Sequence, residues 1–506
     1  MIGVSNMLSF AKVASAGAAG ILLVSCAVGP DYHAPAAPPA NGFVPPDVLP
    51  TVTAEAPVAG GQAQHFVPGA DIPRQWWTLF ASPQLNELIE RGLQHSPTLE
   101  AAQAALRQAN ETAAAQRGAL WPSVNGAYQG QRQRVSSKQF GLPGQGSFLY
   151  TLNSASVNVS YTLDAFGGIR RQVEAQQAQA DYQRYALEAS YLTLTSNIVT
   201  AAITEASLRA QLAANEEIAT SQRAELDIAR RQMAAGGASR ADVLQQQATL
   251  QSTLAALPAL RSQLAQERNQ LAAYVGELPA DYAAAAVDLD AMTLPIELPV
   301  SLPSQLVNQR PDVQEYAALL HSATAQIGVA TANMLPQLTL TGSYGGVATR
   351  FADVFSPNAA VWSLIGGVTQ PLFRGGQLAH QRRAAVAAAQ EAAANYRSTV
   401  LTAFQNVSNT LYALQSDAEA LAAQSLAQQT AAQSLKLIQS QFRSGGASHL
   451  QVLTAEQSYQ TAAIALVKAR AQRFADTAAL FQALGGGWWN PNDLAASATH
   501  CCKEIP

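Results

Sequence analysis

The tetrapeptide Gly236-Gly237-Ala238-Ser239 occurs a second time as Gly445-Gly446-Ala447-Ser448, 209 residues further along the chain. The dipeptide Val243-Leu244 recurs at the same distance as Val452-Leu453. Glycine ends helices because it adopts left-handed backbone angles without strain, and serine is a favoured cap for the next helix. Each tetrapeptide is therefore interpreted as a tight turn between two helices, with Ser239 and Ser448 capping the returning helices.

Further matches extend the repetition toward the N-terminus of the chain. Matches that keep one order along a sequence indicate an internal duplication, which sets the plan of the fold. We predict two repeats, 74–290 and 291–487, each with a helix, a strand pair and a long helical hairpin. The matching prolines, which lie 214 residues apart, are Pro97 with Pro311 and Pro122 with Pro336.

Each repeat contains a helix of ordinary length followed by segments of alternating polarity. The helices are predicted at about 97–117 and 311–333, and each ends just before a proline that cannot continue it. Apolar and polar residues alternate from Val157 to Leu163 and again from Leu338 to Thr341. A period of two is typical of a strand with one apolar and one polar face. The sequence therefore predicts two strands in each repeat.

Two helices of unusual length are predicted between the strands and the glycine turns. They cover about 169–235 and 377–443, and neither range contains a proline. At 1.5 Å per residue, each helix is about 100 Å long. Apolar residues recur every seven positions in the first long helix and in the helix that returns from the second turn, with Arg473 as an exception. This pattern indicates coiled-coil-like packing.

The N-terminal stretch is predicted to be a secretory signal that ends at a cysteine. Residues 13–24 are apolar, Lys12 precedes them, and Leu23-Val24-Ser25-Cys26 resembles a lipobox. We expect a lipoprotein signal peptide over 1–25 and a covalent lipid on Cys26, whose acyl chains anchor the mature chain to a membrane. A plain secretory signal with an incidental cysteine, or an uncleaved helix, is the alternative interpretation.

Two terminal segments are predicted to lie outside the repeats. Residues 26–73 are rich in proline and polar residues, which indicates an extended, lipidated tether with little to bury. Residues 488–506 form a C-terminal tail that contains the neighbouring Cys501 and Cys502. The tail cysteines are interpreted as dispensable, and a metal site with His500 is a weak alternative because too few ligands are local.

The composition excludes several classes of function. Charged residues make up 13% of the chain and the net charge is −4, so nothing indicates a nucleic-acid partner. The seven histidines are scattered, and no nucleophile or carboxylate pair has a recognisable context. Gly485-Gly486-Gly487 lacks the strand and lysine of a phosphate-binding loop. We therefore expect no enzymatic activity, no metal site and no cofactor other than the covalent lipid.

Four strands in one chain are too few for a membrane barrel, because the smallest known barrels have eight. An open sheet in lipid would leave backbone groups at its edges without hydrogen bonds. The chain is therefore expected to assemble with copies of itself, with two copies giving eight strands and three giving twelve. The same assembly would bring the long helices side by side into a cylinder. An ordinary soluble sheet with an ordinary helical bundle is the alternative.

A set of short motifs, in a fixed order along the chain, carries a resemblance to a known family. The sequence resembles the TolC/OprM/NodT-type outer-membrane factors, the outer-membrane lipoproteins of RND efflux systems, over nearly the whole mature chain. The motifs are Gly29-Pro30-Asp31-Tyr32, Trp76-Trp77 with Phe80 and Leu85, Leu163-Asp164-Ala165-Phe166-Gly167, Arg310-Pro311-Asp312-Val313, Ile327-Gly328 with Ala330 before Leu335-Pro336, Pro371-Leu372-Phe373, and Leu484-Gly485-Gly486-Gly487-Trp488.

The resemblance implies a mainly α protein with membrane β-strands. It implies a homotrimer in which a twelve-strand outer-membrane β-barrel continues into a twelve-helix periplasmic α-barrel. The implied function is the exit duct of a tripartite efflux system, lipid-anchored in the outer membrane of a Gram-negative bacterium. The implied partners are a periplasmic adaptor, also called a membrane fusion protein, and an inner-membrane pump of RND type.

The resemblance also assigns roles to residues at the two glycine turns. It locates the turns at the periplasmic tips, where an adaptor would dock on Gly236, Gly237, Ser239, Gly445, Gly446 and Ser448. Leu450 matches a leucine at a narrow aperture, although helix-seam packing explains it equally well. Thr454 stands where relatives often have an aspartate, which puts an acidic ring in doubt, and Asp242 could supply negative charge instead.

Two other functions remain open from the sequence. A periplasmic coiled-coil adaptor or structural lipoprotein would also contain long helices, but usually has only one hairpin. A duct that serves a metal or peptide exporter would share the fold. The chain contains five methionines, which argues weakly against copper or silver cargo. The sequence identifies neither the cargo nor the particular pump and adaptor.

Overall fold

The computed structural model describes residues 27–39, 42–45, 52–136, 146–283 and 285–490. Cys26, Cys501 and Cys502 lie outside these residues, as does the predicted signal peptide. The described chain divides into two compact units, each built from separate stretches of sequence. The first unit lies within 27–35, 105–183 and 315–396, and the second within 36–104, 184–314 and 397–490.

The elements follow the predicted order in both halves of the chain. The strands are β1 (His65–Pro68), β2 (Ser123–Ser136), β3 (Ser147–Leu163), β4 (Glu297–Val300), β5 (Gln337–Ala348) and β6 (Ala360–Thr369). The helices are α1 (Pro83–His95), α2 (Pro97–Gly118), α3 (Gly168–Ala234), α4 (Arg240–Tyr274), α5 (Pro303–Gln309), α6 (Pro311–Ala332), α7 (Gln377–Arg443) and α8 (His449–Ala483). None of these helices combines the length and the apolar character that a membrane-spanning helix requires.

The predicted helices are confirmed to within a residue or two. The ordinary helices α2 and α6 have 22 residues each, and the long helices α3 and α7 have 67 residues each. The equal lengths of corresponding helices reflect the duplication, because the returning helices α4 and α8 also match, at 35 residues. Proline-free sequence and glycine stops were therefore sufficient signals for the two long helices, whereas α4 continues through Pro258.

The first unit contains a four-stranded antiparallel sheet in the order β2-β3-β5-β6. The strand pair of one repeat lies directly beside that of the other, because β3 pairs with β5 from Asn153↔Ala348 to Leu163↔Leu338. Strands β2 and β6 are the two edges of this sheet. The two strand pairs predicted for the repeats are thus confirmed, and they form a single sheet.

The second unit contains an aromatic core that the sequence analysis did not predict. Trp76 and Phe80 lie on a short 3₁₀ helix and are fully buried, together with Phe474 and Phe481 of α8. The rings of Trp76 and Phe481 stack with their centroids 5.3 Å apart. The motif residues Trp76 and Phe80 therefore stabilise the attachment of the N-terminal region to the last helix.

The later part of the predicted tether is more buried than expected. Residues 65–68 form β1, which pairs in parallel with β4. Ile72 and Gln64 are fully buried, and Gln64 donates a hydrogen bond to the Pro295 carbonyl. The expectation that this segment has little to bury is therefore wrong for its C-terminal part, because proline-rich chain can still contribute single apolar anchors.

The glycines that follow α8 are required by close backbone contacts. Gly485, Gly486 and Gly487 all have positive φ angles. A Cβ on Gly485 would lie 2.3 Å from the carbonyl oxygen of Gln309, which no side chain can tolerate. Trp488 then donates its indole N–H to the same carbonyl at 2.7 Å. The start of the predicted C-terminal tail is therefore packed within the second unit.

Arg310 and Asp312 have the structural role that the sequence predicted. The Arg310 guanidinium donates to both carboxylate oxygens of Asp312, at 2.9 and 2.6 Å. Its third nitrogen donates to the Ala483 carbonyl at 2.8 Å, near the end of α8. The pair thus fixes the start of α6 to the C-terminal end of α8, and bidentate geometry makes such contacts strong.

Candidate functional site

The four-stranded sheet has one apolar and one polar face. Residues directly opposite each other in neighbouring strands share a face, so the register defines rows across the sheet. One row consists of Val124, Val159, Gly342 and Leu364, and the adjacent row consists of Asn125, Asn158, Ser343 and Ser363. The apolar face also carries Tyr128, Val157, Leu163, Leu340, Tyr344, Trp362 and Val368, all of them exposed.

Exposure is greatest along the edge strand β6. Trp362 is 76% exposed and Leu364 68% exposed, values that are unusual for large apolar side chains in water. Val361 and Ile365 are exposed on the otherwise polar face of the same strand. An edge strand with apolar residues on both faces is a surface that another polypeptide or lipid would cover.

The two glycine turns have the same backbone geometry. Gly236 and Gly445 both have φ = +79°, the left-handed conformation that ends a helix. The next residue donates back into the helix, from Gly237 to the Gln232 carbonyl and from Gly446 to the Gln441 carbonyl, both at 2.8 Å. The predicted turns are confirmed, and they join α3 to α4 and α7 to α8.

Ser239 and Ser448 are the N-caps of the returning helices, as predicted. Each hydroxyl accepts a hydrogen bond from the backbone three residues later, and that residue's side chain accepts one from the serine N–H. This reciprocal arrangement is a capping box. In the first turn the reciprocal acceptor is the Asp242 carboxylate, and in the second it is the Gln451 amide.

The capping box changes the ionisation of Asp242. Hydrogen bonds from the Ser239 hydroxyl and backbone N–H, at 2.7 and 2.9 Å, hold the pKa of the Asp242 carboxyl below its ordinary value. The carboxylate is therefore charged at neutral pH, and it accepts hydrogen bonds from the start of its own helix. The corresponding Gln451 is neutral, so the reciprocal acceptor is charged in the first turn and uncharged in the second.

The two glycines of each turn differ in whether the backbone conformation requires a glycine. Gly236 and Gly445 need glycine because of their positive φ. A Cβ on Gly237 or Gly446 would meet its nearest atom at an ordinary 3.6 or 3.7 Å, and neither residue has a positive φ. The backbone therefore does not explain the second glycine of either turn.

Leu450 and Thr454 lie on one exposed groove beside the second turn. Leu450 is 68% exposed, so it does not pack in a helix seam of its own chain. Thr454 donates its hydroxyl to the Leu450 carbonyl at 2.9 Å, within α8. Both residues line a groove of about 800 Å³ with Ile438 and other small or apolar side chains of α7 and α8.

Polar contacts join the first helical hairpin to the second. Gln439 of α7 donates to Glu225 of α3 at 2.7 Å, and burial raises the pKa of that carboxyl. Gln460 of α8 donates to Asn215 of α3 at 3.4 Å and to Thr253 of α4 at 3.5 Å. These links lie between the turns and the aromatic core, and the sequence analysis did not identify them.

The N-terminal segment is held against α3 and α6 in the first unit. Gly29 packs so closely on Gly328 that a Cβ would lie 2.5 Å from the Gly328 Cα. Asp31 accepts a hydrogen bond from Arg171 at 2.5 Å, and this contact lowers the pKa of the Asp31 carboxyl. Tyr32 stacks on His321 with the ring centroids 4.3 Å apart. The Gly29-Pro30-Asp31-Tyr32 motif is therefore in contact with the Ile327-Gly328 motif, which is distant in sequence.

Among the described residues, no group of three or more His, Cys, Asp and Glu side chains is arranged to hold a metal ion. The candidate sites are therefore the apolar face of the sheet in the first unit and, in the second unit, two capped hairpin turns and an exposed groove. Strands that alternate between an apolar and a polar face, in a sheet with two open edges, are typical of the class of outer-membrane β-barrel proteins.

The chain belongs to the outer membrane efflux protein family, whose model matches residues 88–277 and 302–486. It is 30% identical over 479 residues to the antibiotic efflux pump outer membrane protein ArpC of Pseudomonas putida, covering 94% of this chain and 95% of ArpC. It is also 30% identical over 423 residues to the pyoverdine export outer membrane protein OpmQ of Pseudomonas aeruginosa, covering 82% of this chain and 88% of OpmQ.

The fold matches those of solved outer-membrane channels. The structure of the channel OprN superposes with a TM-score of 0.82 at 25% sequence identity, covering 92% of this chain and all of OprN. The chain is therefore an outer-membrane channel of an efflux system in a Gram-negative bacterium. The resemblance to outer-membrane factors is confirmed, and the alternative of a periplasmic adaptor is set aside.

Proposed function

We propose that three copies of this chain form the exit duct of a tripartite efflux system. Three copies would bring twelve strands into one closed barrel and twelve hairpin helices into one periplasmic cylinder. The observation that carries this proposal is the sheet itself, with an apolar face that gives way to Arg132 and Arg134 only toward the end of β2, and with two open edges, β2 and β6. Closure between copies would pair both edges and turn the apolar face toward lipid.

Exposed apolar residues at one end of the sheet also support a location of the sheet in the membrane. Trp121 precedes β2 and is 75% exposed, while Leu372 and Phe373 follow β6 and are about 90% exposed. Aromatic residues are enriched at membrane–water interfaces, because their rings favour the headgroup region. We infer that these residues mark the periplasmic boundary of the membrane.

Disulfide cross-linking between edge strands tests the assembly. One cysteine replaces Asn125 in β2, and a second is moved along β6, in a background without Cys501 and Cys502. The two edges of one sheet are separated by β3 and β5, so a bond between them joins different chains. We expect covalent dimers and trimers at one β6 register. Protein that stays monomeric in the membrane at every register would contradict the proposal.

The two glycine turns are proposed as docking sites for a periplasmic adaptor, which links the duct to an inner-membrane pump of RND type. Docking would explain the second glycine of each turn, because a flat backbone surface lets another hairpin approach closely. Gly237 and Gly446 are the informative positions, since their substitution leaves the turn geometry unstrained. The neighbouring Gly236, Ser239, Gly445 and Ser448 would shape the same surface.

Replacement of Gly237 and Gly446 by tryptophan tests docking. We expect efflux and adaptor cross-linking to fail while the trimers stay intact. Gly118→Trp is a matched control, because a Cβ on Gly118 would meet no atom within 4 Å and Gly118 lies far along the chain from both turns. Full transport by the double variant would show that docking does not use these turns.

The groove residues are proposed to line the periplasmic aperture. Three Leu450 side chains around one axis would narrow the duct and exclude hydrated solutes by desolvation. Thr454 would leave this ring neutral, while Asp242 would add charge only near the other turn. Leu450→Ser is expected to raise the single-channel conductance, and Leu426→Ser, on an exposed residue of the same groove, serves as the control.

Cys26 is proposed to carry the lipid that anchors the mature N-terminus. The next residue, Ala27, packs against Gly167, and Val28 donates to the Phe166 carbonyl at 3.0 Å. These contacts lie just beyond the end of β3 at Leu163, where a membrane boundary is expected. Cys26→Ser should abolish labelling by radioactive palmitate, and unchanged labelling would exclude lipidation at this residue.

The cargo is proposed to be chosen by the pump, because the relatives carry names as different as antibiotic efflux and pyoverdine export. A deletion strain tested against drugs, dyes, detergents and divalent metals distinguishes the possibilities. Sensitivity to organic compounds, restored by the intact gene, would assign a multidrug pump. Sensitivity confined to metals would assign a metal pump, and no sensitivity would favour a specialised cargo such as a peptide.

A further inference from the structure

A cavity of about 130 Å³ lies between α3, α7 and α8 in the second unit. Its polar lining comes from Glu217, Ser221 and Gln222 of α3 and from Glu456 and Tyr459 of α8. The volume corresponds to about four water-sized species at roughly 30 Å³ each. Neither the proposed docking surface nor the aperture uses this cavity.

Two of its polar side chains are deeply buried without a hydrogen-bond partner. Gln222 is 1% exposed, and neither its amide oxygen nor its amide nitrogen is paired. Glu456 is 6% exposed, and both of its carboxylate oxygens are unpaired. Burying a charge without compensation is strongly unfavourable, so natural proteins pair or neutralise such groups.

The composition of the cavity wall indicates how Glu456 is compensated. In the described part of the chain, the wall contains two carboxylates and no lysine, arginine or histidine. Its remaining polar atoms are two hydroxyls and the Gln222 amide, so nearly every available ligand is an oxygen. Hard divalent cations prefer carboxylate, amide and hydroxyl oxygens, and they commonly retain several waters.

We propose that this cavity binds a hydrated divalent cation, Mg²⁺ or Ca²⁺. The Glu456 carboxylate is the main ligand, and the Gln222 amide oxygen faces the same ion directly or through water. Glu217 is exposed where it borders the cavity, so its carboxylate attracts the cation from solvent. Ser221 and Tyr459 complete the wall with hydroxyl oxygens.

The bound cation would connect α3 to α8, and hence the first helical hairpin to the second. The Gln460–Asn215 contact joins the same two helices one turn away from Glu456, but it is a long hydrogen bond between neutral groups. A charge-compensated cation is a stronger connection in a buried site. The two hairpins are therefore expected to be more rigidly joined when divalent cations are abundant.

Thermal unfolding and calorimetry of the intact assembled protein test the proposal. After removal of cations with EDTA, added Mg²⁺ or Ca²⁺ should raise the unfolding temperature with a saturable dependence. Glu456→Gln keeps the shape of the side chain and removes its charge, and it should weaken binding at least tenfold. Glu391→Gln, at an exposed position on α7 outside the cavity, should bind like the unmodified protein.

Terbium luminescence provides an independent readout. Tb³⁺ occupies oxygen-rich calcium sites and emits when a nearby tyrosine absorbs light. Tyr459 lines the cavity, so bound Tb³⁺ should give sensitised emission that excess Ca²⁺ removes. Tyr459→Phe should reduce the emission far more than the calorimetric affinity.

Three outcomes would overturn the proposal. Identical cation binding by Glu456→Gln and the unmodified protein would locate the ion elsewhere. Stability that depends on pH but not on cations would mean that Glu456 is protonated. Cation-independent loss of trimers in Glu456→Gln would mean that a basic side chain of another copy fills the cavity.

Discussion

The carboxylate of Asp31 lies 2.5 Å from the Nη2 atom of Arg171, so an ion pair joins the N-terminal segment to the first turn of α3. Arg171 also donates to Glu174 at 2.7 Å and to the Val28 carbonyl at 3.3 Å, while its own side chain is only 6% exposed. One buried guanidinium thus holds three acceptors. The Gly29-Pro30-Asp31-Tyr32 motif is therefore explained by attachment of the N-terminal segment.

Removal of this guanidinium should release the N-terminal segment. Arg171→Ala removes the donor of the Val28 carbonyl and of Glu174, each a hydrogen bond worth about 0.5–1.5 kcal/mol, and releases the exposed Asp31 to water. Limited proteolysis within 27–39 should become roughly tenfold faster, because 1.4 kcal/mol corresponds to a factor of ten. Arg107→Ala, on an exposed residue of α2, is the control. Equal cleavage rates in the two variants would mean that other contacts hold the segment.

The two capping boxes should respond differently to acid. Because hydrogen bonds lower the folded-state pKa of Asp242, its contribution is present above the ordinary value near 4 and is lost as the pH falls through the lowered value. Hydrogen exchange at the start of α4 should therefore accelerate in acid, relative to its intrinsic rate. The start of α8 is the internal control, since Gln451 does not ionise. Asp242→Asn should make hydrogen exchange at the starts of α4 and α8 respond alike to acid.

Charge on the two faces of the sheet should have unequal effects. Leu364→Arg introduces a cation on the apolar face of β6, where lipid contact would cost about 2–4 kcal/mol near the membrane midplane. Ser363→Arg, the adjacent residue on the polar face, should be tolerated. The amount of heat-modifiable protein in outer-membrane fractions measures the difference. Equal yields would argue against lipid contact on the apolar face.

Asp417 predicts a loss of stability as the pH rises from about 4 to about 8. Burial and the neighbouring Asp476 carboxyl raise the pKa of Asp417 to about 8. A raised folded-state pKa contributes stability below the unfolded value near 4, and this contribution is lost as the pH rises through about 8. Asp417→Asn should flatten the dependence and raise the unfolding temperature by a few degrees at pH 8. A profile unchanged by the substitution would locate the titrating group elsewhere.

The sequence predicted those elements whose signals are local. The long helices, their glycine turns and their serine caps each depend on a short stretch of chain, so their bounds agree within two residues. The apolar face of the sheet followed from a period of two within single strands. The pairing of β1 with β4 was missed because each has only four residues and more than 220 residues separate them.

Arg473 shows what local patterns leave out. The heptad spacing marked it as an exception in α8, and the structure supplies the reason. Its guanidinium is fully buried and donates to the Gln62 carbonyl at 2.6 Å and to the Thr53 hydroxyl at 3.2 Å. These partners are more than 400 residues away in sequence. The cavity beside Glu456 was missed for the same reason, because its wall combines residues of three helices that are distant in sequence.

The unequal capping residues of the two turns have a consequence for symmetry. In a trimer, six nearly identical tips would form a ring of pseudo-sixfold symmetry, yet Asp242 and Gln451 alternate around it. The symmetry of such a trimer would be threefold, so six copies of a docking partner would occupy two inequivalent sets of positions. A contact that involves the capping residue would distinguish these sets, because Asp242 presents a carboxylate and Gln451 an amide.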